Sequence, residues 1–336
     1  MFLFGIDDLF LDIMWFTNRR AIARNRAEDV RRDMAPPAAG ELAGPIAIFV
    51  PAWRESEIIG RTLRGMLDAW RGEDIRLYVG CYPNDVATLF AASPTIAADD
   101  RCRLVIADAD GPTTKADNLN SIWAAMLVDE RSDNRQFAAV VLHDAEDIVH
   151  PLEIALYRRH LGRDAMVQIP VVPATTARSR WVAGHYGDEF AYSHGLELPL
   201  RSHLGIHLPS AGVGCAIRRG ALQALAIDRH GFPFSAHSLT EDYEMGLHLA
   251  RLGLTTRFVD ARAGDGSRIV SAGQFPARLE AAVRQKSRWI AGMAFAGWDH
   301  LGWMRMPGRA GADGQSRRFG AALLSHYYLW RDRKAP

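Results

Sequence analysis

Short runs rich in Val and Ile alternate with amphipathic helical stretches through the first half of this chain, and that alternation limits the fold more than any other feature. IAIFVPA (Ile46–Ala52) reads as a strand and EIIGRTLRGMLDAW (Glu57–Trp70) as a helix. IRLYVGCYP (Ile75–Pro83) and CRLVIADA (Cys102–Ala109) are two further strands. KADNLNSIWAAMLVDE (Lys115–Glu130) is helical, and FAAVVLHD (Phe137–Asp144) returns to a strand. Apolar strands joined through helices predict a mostly parallel α/β sheet covered on both faces. Beyond Pro151 the pattern loosens. EIALYRRHLG is a helix, AMVQIPVVP a strand, and the stretch from Ser179 to Gly205 is helical over much of its length. Ser210–Leu222 is a glycine-rich turn entering a strand and a helix. A helix follows Thr240 as its N-cap, TTRFVDARA is a strand, and Phe275–Trp298 is the longest helical pattern.

In such sheets ligands sit beyond the carboxyl ends of the strands. Pro51, Ala52, Trp53, Arg54 and Glu55 leave the first strand there, Tyr82-Pro83-Asn84-Asp85 leave the second, and Asp144, Glu146 and Asp147 leave the fourth. Asp144 and Glu146, two residues apart, suit one hard cation such as Mg²⁺ or Mn²⁺, with Asp147 as a helper; a solvated helix start reads equally well from the same residues. His143 and His150 flank the cluster, but hard carboxylates without a cysteine do not make a zinc site. Thr240-Glu241-Asp242 puts two acids at a helix start, either as a cap or with Asp242 as a general base. Gln285, Arg288 and Trp289 fall on neighbouring faces of the long helix, where an arginine beside an indole serves a phosphate and a sugar, or simply packs. Lys115 opens the helix of Thr114–Asn120, within reach of a phosphate or on the surface.

The chain's 336 residues carry a net charge of +1, which gives no argument for nucleic acid as a partner. Three widely spaced cysteines exclude a disulfide framework and fit a reducing cytosol. No run of about 18 uncharged apolar residues exists to span a bilayer. The N-terminal MFLFGIDDLFLDIMWF is apolar apart from Asp7, Asp8 and Asp12, which at helical spacing gather on one side. Arg19, Arg20, Arg24, Arg26, Arg31 and Arg32 follow. Such a segment lies on the cytoplasmic face of a membrane or docks on its own domain. Ala35 to Pro45 reads as a linker.

Taken together and in this order, VPAWRESE, YPND, KADNLN, HDAED, AGVGCAIRR, TED and QKSRW resemble the GT-A-fold inverting glycosyltransferases of family 2, over roughly Pro45 to Trp298. Within the family the resemblance is to the membrane-associated, processive type of cellulose and hyaluronan synthase. FGIDDLFLD, LHDAED and the WRDRK tail are most similar to the bacterial phage-adsorption protein B group. The resemblance implies one nucleotide-sugar-binding domain over 41–300, an arginine-rich juxtamembrane segment and linker over 1–40, and a C-terminal interface segment over 301–336 leading to transmembrane helices that this sequence does not contain. It implies a hexosyl- or N-acetylhexosaminyltransferase that uses a UDP-sugar with Mg²⁺ or Mn²⁺ to extend a glycan acceptor at the inner membrane. Pro51, Ala52, Trp53, Glu55, Asp85, Lys115, Asp117, Asp144 and Gln285 would hold the donor, and Asp144 and Glu146 the metal. Asp242, with Glu241, Arg288 and Trp289, would carry catalysis, and Gly214, Cys215 and Trp289 would meet the acceptor. The sequence departs from the family pattern at Trp53 for a tyrosine, Glu146 for an aspartate and Lys286 for an arginine. Two other readings stand beside this one. A sugar nucleotidyltransferase would need a glycine-rich loop after the first strand, which VPAWRESE lacks; a non-catalytic membrane receptor or scaffold would have no use for the acids.

Overall fold

The computed structural model describes residues 2–34, 40–174, 179–302 and 314–333. The elements run α1 (Phe2–Met34), β1 (Ile46–Pro51), α2 (Ile59–Ala69), β2 (Ile75–Cys81), α3 (Val86–Ala98), β3 (Cys102–Ile106), α4 (Lys115–Ser132), β4 (Ala139–Leu142) and α5 (Glu153–Leu161). They continue β5 (Met166–Gln168), β6 (Val171–Ala174), α6 (Arg180–Tyr192), α7 (Leu198–His203), β7 (Cys215–Arg218), α8 (Arg219–Asp228), α9 (Glu241–Arg251), β8 (Thr256–Phe258), β9 (Ser271–Gln274), α10 (Leu279–Ile290), α11 (Gly297–Leu301) and α12 (Gly314–Arg333). Single π-helical turns, Ser193–Glu197 and Ala291–Ala296, join α6 to α7 and α10 to α11.

Seven strands form one sheet in the order β3-β2-β1-β4-β7-β5-β8. All neighbours are parallel except β7, which is antiparallel to β4 and β5. Both faces of the central strands are buried, as the unbroken apolar runs predict. Ile46, Ile48 and Val50 pack under Leu63, Met66 and Trp70 of α2 and Ile154 and Tyr157 of α5. Ala47 and Phe49 point the other way, onto Leu119, Ile122 and Trp123 of α4, in a core that also takes in Met245 and Leu249 of α9. Strand alternation thus assigns successive residues of one strand to two cores.

Several elements differ from the sequence reading. AMVQIPVVP is not one strand: it breaks at Ile169-Pro170, so β5 joins the main sheet while β6 pairs with β9 in a separate two-stranded sheet. Pro170 has no N–H to give a ladder, and its carbonyl instead accepts from Ser271. Helix α3 and strand β9 were not expected. Thr240 holds the N-cap position of α9, but its side chain makes no capping hydrogen bond.

The three acids of the N-terminal segment do not share a solvent side. Asp7 points inward and takes hydrogen bonds from the Tyr327 hydroxyl and Arg331 of α12. Leu11 and Ile22 are buried with Leu200, Ile206 and Tyr328. The helix is therefore docked, yet Ile6, Leu9, Phe10, Ile13 and Phe16 remain exposed on its outer side. Helix α12 closes against α7 and α9 through ions. The buried Arg201 holds both carboxylate oxygens of Asp332, at 2.9 and 3.0 Å, and Asp332 also accepts from the Tyr243 hydroxyl at 3.2 Å. Among the described residues no helix is long and apolar enough to cross a membrane. Of the linker, residues 35–39 lie outside the described residues, as do the side chains of Arg31 and Arg32.

Candidate active site

The carboxylates that end β4 divide into an inner and an outer set. His143 is fully buried, with Nδ1 2.8 Å from Asp147 and Nε2 2.9 Å from Glu153. Burial pulls the imidazole pKa down, but the two acids overcome it and raise His143 to about 10. Asp147 also accepts the Asp144 amide at 3.1 Å, closing the turn. Asp144 and Glu146 form the outer set, together with Glu55 from the loop after β1. Glu146 is pushed up to about 8, first by burial and then by Asp144, Glu55 and Asp147; Glu55 is raised by burial, Asp144 and Asp85. These acids repel one another and favour whatever cation enters between them. The chain's own cation there is Lys115, from the first turn of α4, whose ammonium lies 2.5 Å from Asp144 and 3.4 Å from the carbonyl of Gly212.

The loops after β1, β2 and β3 are laced together. Arg54, at φ +59°, turns the chain so that its amide donates to Asp85 at 2.6 Å, and the Glu55 amide donates to Thr88 at 2.9 Å. Asp85 also caps α3 through the Thr88 amide; burial opposes its charge, but these amides and Arg54 hold it below the usual carboxylate range. Pro51 ends β1, and Ala52 is buried with its amide on Gly80. The Trp53 indole stands edge-on to Tyr82 at 5.2 Å. Asn84 exchanges two hydrogen bonds with the backbone of Gly111, at 2.7 and 2.8 Å, and the Tyr82 hydroxyl meets Thr113 at 2.7 Å. Asp117 is held in a capping box with Thr114, so it orients the helix that carries Lys115.

On the other side of Lys115 stand Glu241 and Asp242. Burial, then Asp242, raises Glu241 to about 7; burial also raises Asp242, while Lys115, the Tyr243 amide and Arg288 oppose the shift. Gly212, at φ +76°, lies so close that a Cβ there would come 2.4 Å from Asp242 Oδ2. The backbone of this loop therefore defines one wall beside the acid. Arg288 of α10 donates to the Leu239 carbonyl at 3.0 Å, just before α9 begins. Past it, Gly292 in the π turn abuts Thr240; a Cβ there would meet Thr240 Cγ2 at 2.5 Å. Trp289 lies edge-on to Tyr186 at 6.2 Å, and Lys286 reaches over both rings to pair with Glu189. Gln285 keeps its Oε1 buried without a partner.

The structure thus brings Glu55, Lys115, Asp144, Glu146, Glu241 and Asp242 into one charge-coupled group, with Arg288 beside Asp242. It corrects one expectation. Cys215 has no exposed surface, and its thiol, raised to about 12 mainly by burial, accepts from Ser210 at 3.2 Å; it supports the 211–214 loop from beneath and cannot touch an acceptor. Gly214 is tied down likewise, its carbonyl accepting from the Ile169 amide and the Gln168 side chain. Sequence reasoning missed Glu153, read only as a helix start, and the loop around Gly111. The i, i+4 spacing of His143 and Asp147 was the available signal.

Among the described residues no three His, Cys, Asp or Glu side chains converge as a ready-made metal cage. Two oxygen ligands amid surplus negative charge, already drawing an ammonium, do fit a hard divalent cation that completes its shell with water and phosphate oxygens.

Residues 43–292 match the family model described as glycosyltransferase like family 2. The bacteriophage adsorption protein B of Escherichia coli (strain K12) and the bacteriophage N4 adsorption protein B of Escherichia coli O157:H7 are each 33% identical over 354 aligned positions, covering 99% of this chain. The chain spans 45% of those relatives' length. Among solved structures, the mannosyltransferase PcManGT from Pyrobaculum calidifontis, in complex with GDP-Man and Mn²⁺, superposes with a TM-score of 0.56 at 15% identity, over 96% of this chain and 81% of that one.

Proposed function

The chain belongs to glycosyltransferase family 2 and is a glycosyltransferase of GT-A fold, and from that premise we propose that it is an inverting, divalent-cation-dependent enzyme using a UDP-sugar. The observation that carries this reading is the pairing of two acid sites across Lys115: Asp144 with Glu146 on one side, Glu241 with Asp242 on the other. Inverting transfer needs two separate acidic functions. The acceptor hydroxyl attacks the anomeric carbon from the face opposite the diphosphate, the bond from that carbon to the leaving oxygen breaks, and the hydroxyl proton passes to Asp242. Glu55 and Asp85, with Pro51, Ala52 and Trp53, take the nucleoside; Lys115, Gln285 and Arg288 face the diphosphate; and Asp117 orients Lys115. A cation held by Asp144 and Glu146 would supply charge neutralisation of the departing diphosphate. Trp289 and the 211–214 backbone face the acceptor, and Glu241 shares the charge around the base.

The same proposal places the product in a cell-envelope or exopolysaccharide glycan, made at the cytoplasmic face of a bacterial inner membrane. Residues 41–300 form its catalytic unit, and 1–40 with 301–336 its membrane-facing margin. Its support is the exposed row Ile6, Leu9, Phe10, Ile13 and Phe16, joined by Leu323 and Trp330 of α12. A part in bacteriophage adsorption, which the relatives' names carry, belongs to this proposal. A hydrolysis screen of UDP- and GDP-sugars with Mg²⁺ and Mn²⁺ tests it. Metal-dependent release of UDP, abolished in Asp144→Asn, is expected; release without metal, or from no UDP-sugar, would overturn it.

A further inference from the structure

His143 stands between the sheet and the outer acids, and its hydrogen bonds fix its protonation. Asp147 Oδ2, 2.8 Å from Nδ1, already accepts the Asp144 amide. Glu153 Oε1, 2.9 Å from Nε2, already accepts the Tyr157 hydroxyl at 2.8 Å, and Glu153 Oε2 faces the His150 amide at 3.4 Å. Two carboxylates engaged as acceptors leave the ring to donate from both nitrogens. A neutral tautomer would set a lone pair against an oxygen in a site without exposed surface, where an unmade hydrogen bond is most costly.

We propose that His143, as an imidazolium clamped between Asp147 and Glu153, is a positioning residue for the cation site. It holds Asp147, which holds the Asp144 amide, and so sets the turn on which Asp144 and Glu146 are presented together. This rests on the reading of Asp144 and Glu146 as the metal-binding pair.

Two features separate this role from ordinary core packing. The turn is gripped from both ends: His143 and Asp147 hold it inside, while Ile148 and Ala272 of β9 exchange backbone hydrogen bonds at 2.6 and 2.9 Å outside. Only the residues between these grips, Asp144 to Glu146, carry the outer carboxylates. The imidazolium also commits Asp147 to the interior. The cation is left with two side-chain ligands and open positions for phosphate oxygens, the arrangement a donor-binding Mg²⁺ or Mn²⁺ requires. Without His143, Asp147 and Glu153 would face each other as buried charges, and Asp147 would be free to turn towards the cation.

Mn²⁺ binding, read by electron paramagnetic resonance in the presence of UDP, tests this on the intact chain. The variants are Glu153→Gln, which keeps the shape and removes the charge, and His143→Gln. Loss of such a supporting contact costs about 10- to 100-fold in metal affinity. Both variants are expected to weaken Mn²⁺ by that factor, with metal-free UDP binding unchanged and the transfer rate restored at raised Mn²⁺. Unchanged Mn²⁺ affinity in Glu153→Gln, with only a lower melting temperature, would overturn the positioning role; that variant decides the matter alone if His143→Gln does not fold. A wild-type chain that binds no Mn²⁺ with UDP would overturn the metal-pair reading itself, and this role with it.

Discussion

Asp242 and Glu241 are neighbours with different tasks. Asp242 lies against the Gly212 backbone within the field of Lys115 and Arg288, and its carboxylate is the proposed base. Removing a positioned base costs about 100- to 10,000-fold in rate. Asp242→Asn should lose transfer to that extent while calorimetry finds Mn²⁺ and UDP binding intact; near-normal transfer would move the base elsewhere. Glu241 titrates at about 7 in the fold against an ordinary 4.5, so the folded metal-free protein holds its proton more tightly than the unfolded chain does. That contribution to stability is complete below 4.5 and is lost as pH rises through 7. The melting temperature should fall across this window, and Glu241→Gln should flatten the fall; an identical slope in the variant would assign it to other groups. Which acids cluster at the sheet edge was legible in the sequence, because strand ends fix where Glu55, Asp144 and Asp242 emerge. Which acids face inward was not. Asp147 and Glu153 look like solvated helix-start residues until His143 is known to sit beneath them with no exposed surface.

At the scale of elements, strands buried on both faces declare themselves by composition, and β1, β2 and β4 begin within two residues of the expected places. Elements that depend on a partner do not. β9 is a strand because β6 pairs with it, and Ser271-Ala272-Gly273-Gln274 has little strand propensity of its own. The long helical pattern from Phe275 likewise conceals its π turn, where an extra residue per turn presents Gly292 to Thr240. That contact sets α10, with Arg288 and Trp289, against the start of α9. Gly292→Ala would put a methyl into occupied space, and overpacking of this kind costs about 1–3 kcal/mol. Denaturant unfolding should register that loss, and transfer should fall with it because Arg288 shifts. Unchanged stability would mean that α10 is not seated as described.

Over the whole molecule, the exposed apolar row of α1 runs into Arg19, Arg20 and Arg24. Each basic residue near an anionic surface contributes about 1 kcal/mol. Replacing all three with glutamine should weaken binding to phosphatidylserine vesicles by roughly a hundredfold in a flotation assay; a chain indifferent to vesicles would leave α1 a packing helix only. The two ends of the chain also meet at one place. Asp332 of α12 binds Arg201 and the Tyr243 hydroxyl, and the Tyr243 amide donates to Asp242 at 2.7 Å. Breaking such a buried pair by Asp332→Ala should cost about 3–5 kcal/mol in thermal or denaturant unfolding. The further consequence is a matter of linkage. Whatever lifts α12 from the domain must break a contact one residue from the proposed base, so the seating of the chain's ends and the affinity for an acceptor become reciprocal quantities. An acceptor that binds more tightly with α12 seated must, by the same factor, hold α12 in its seat.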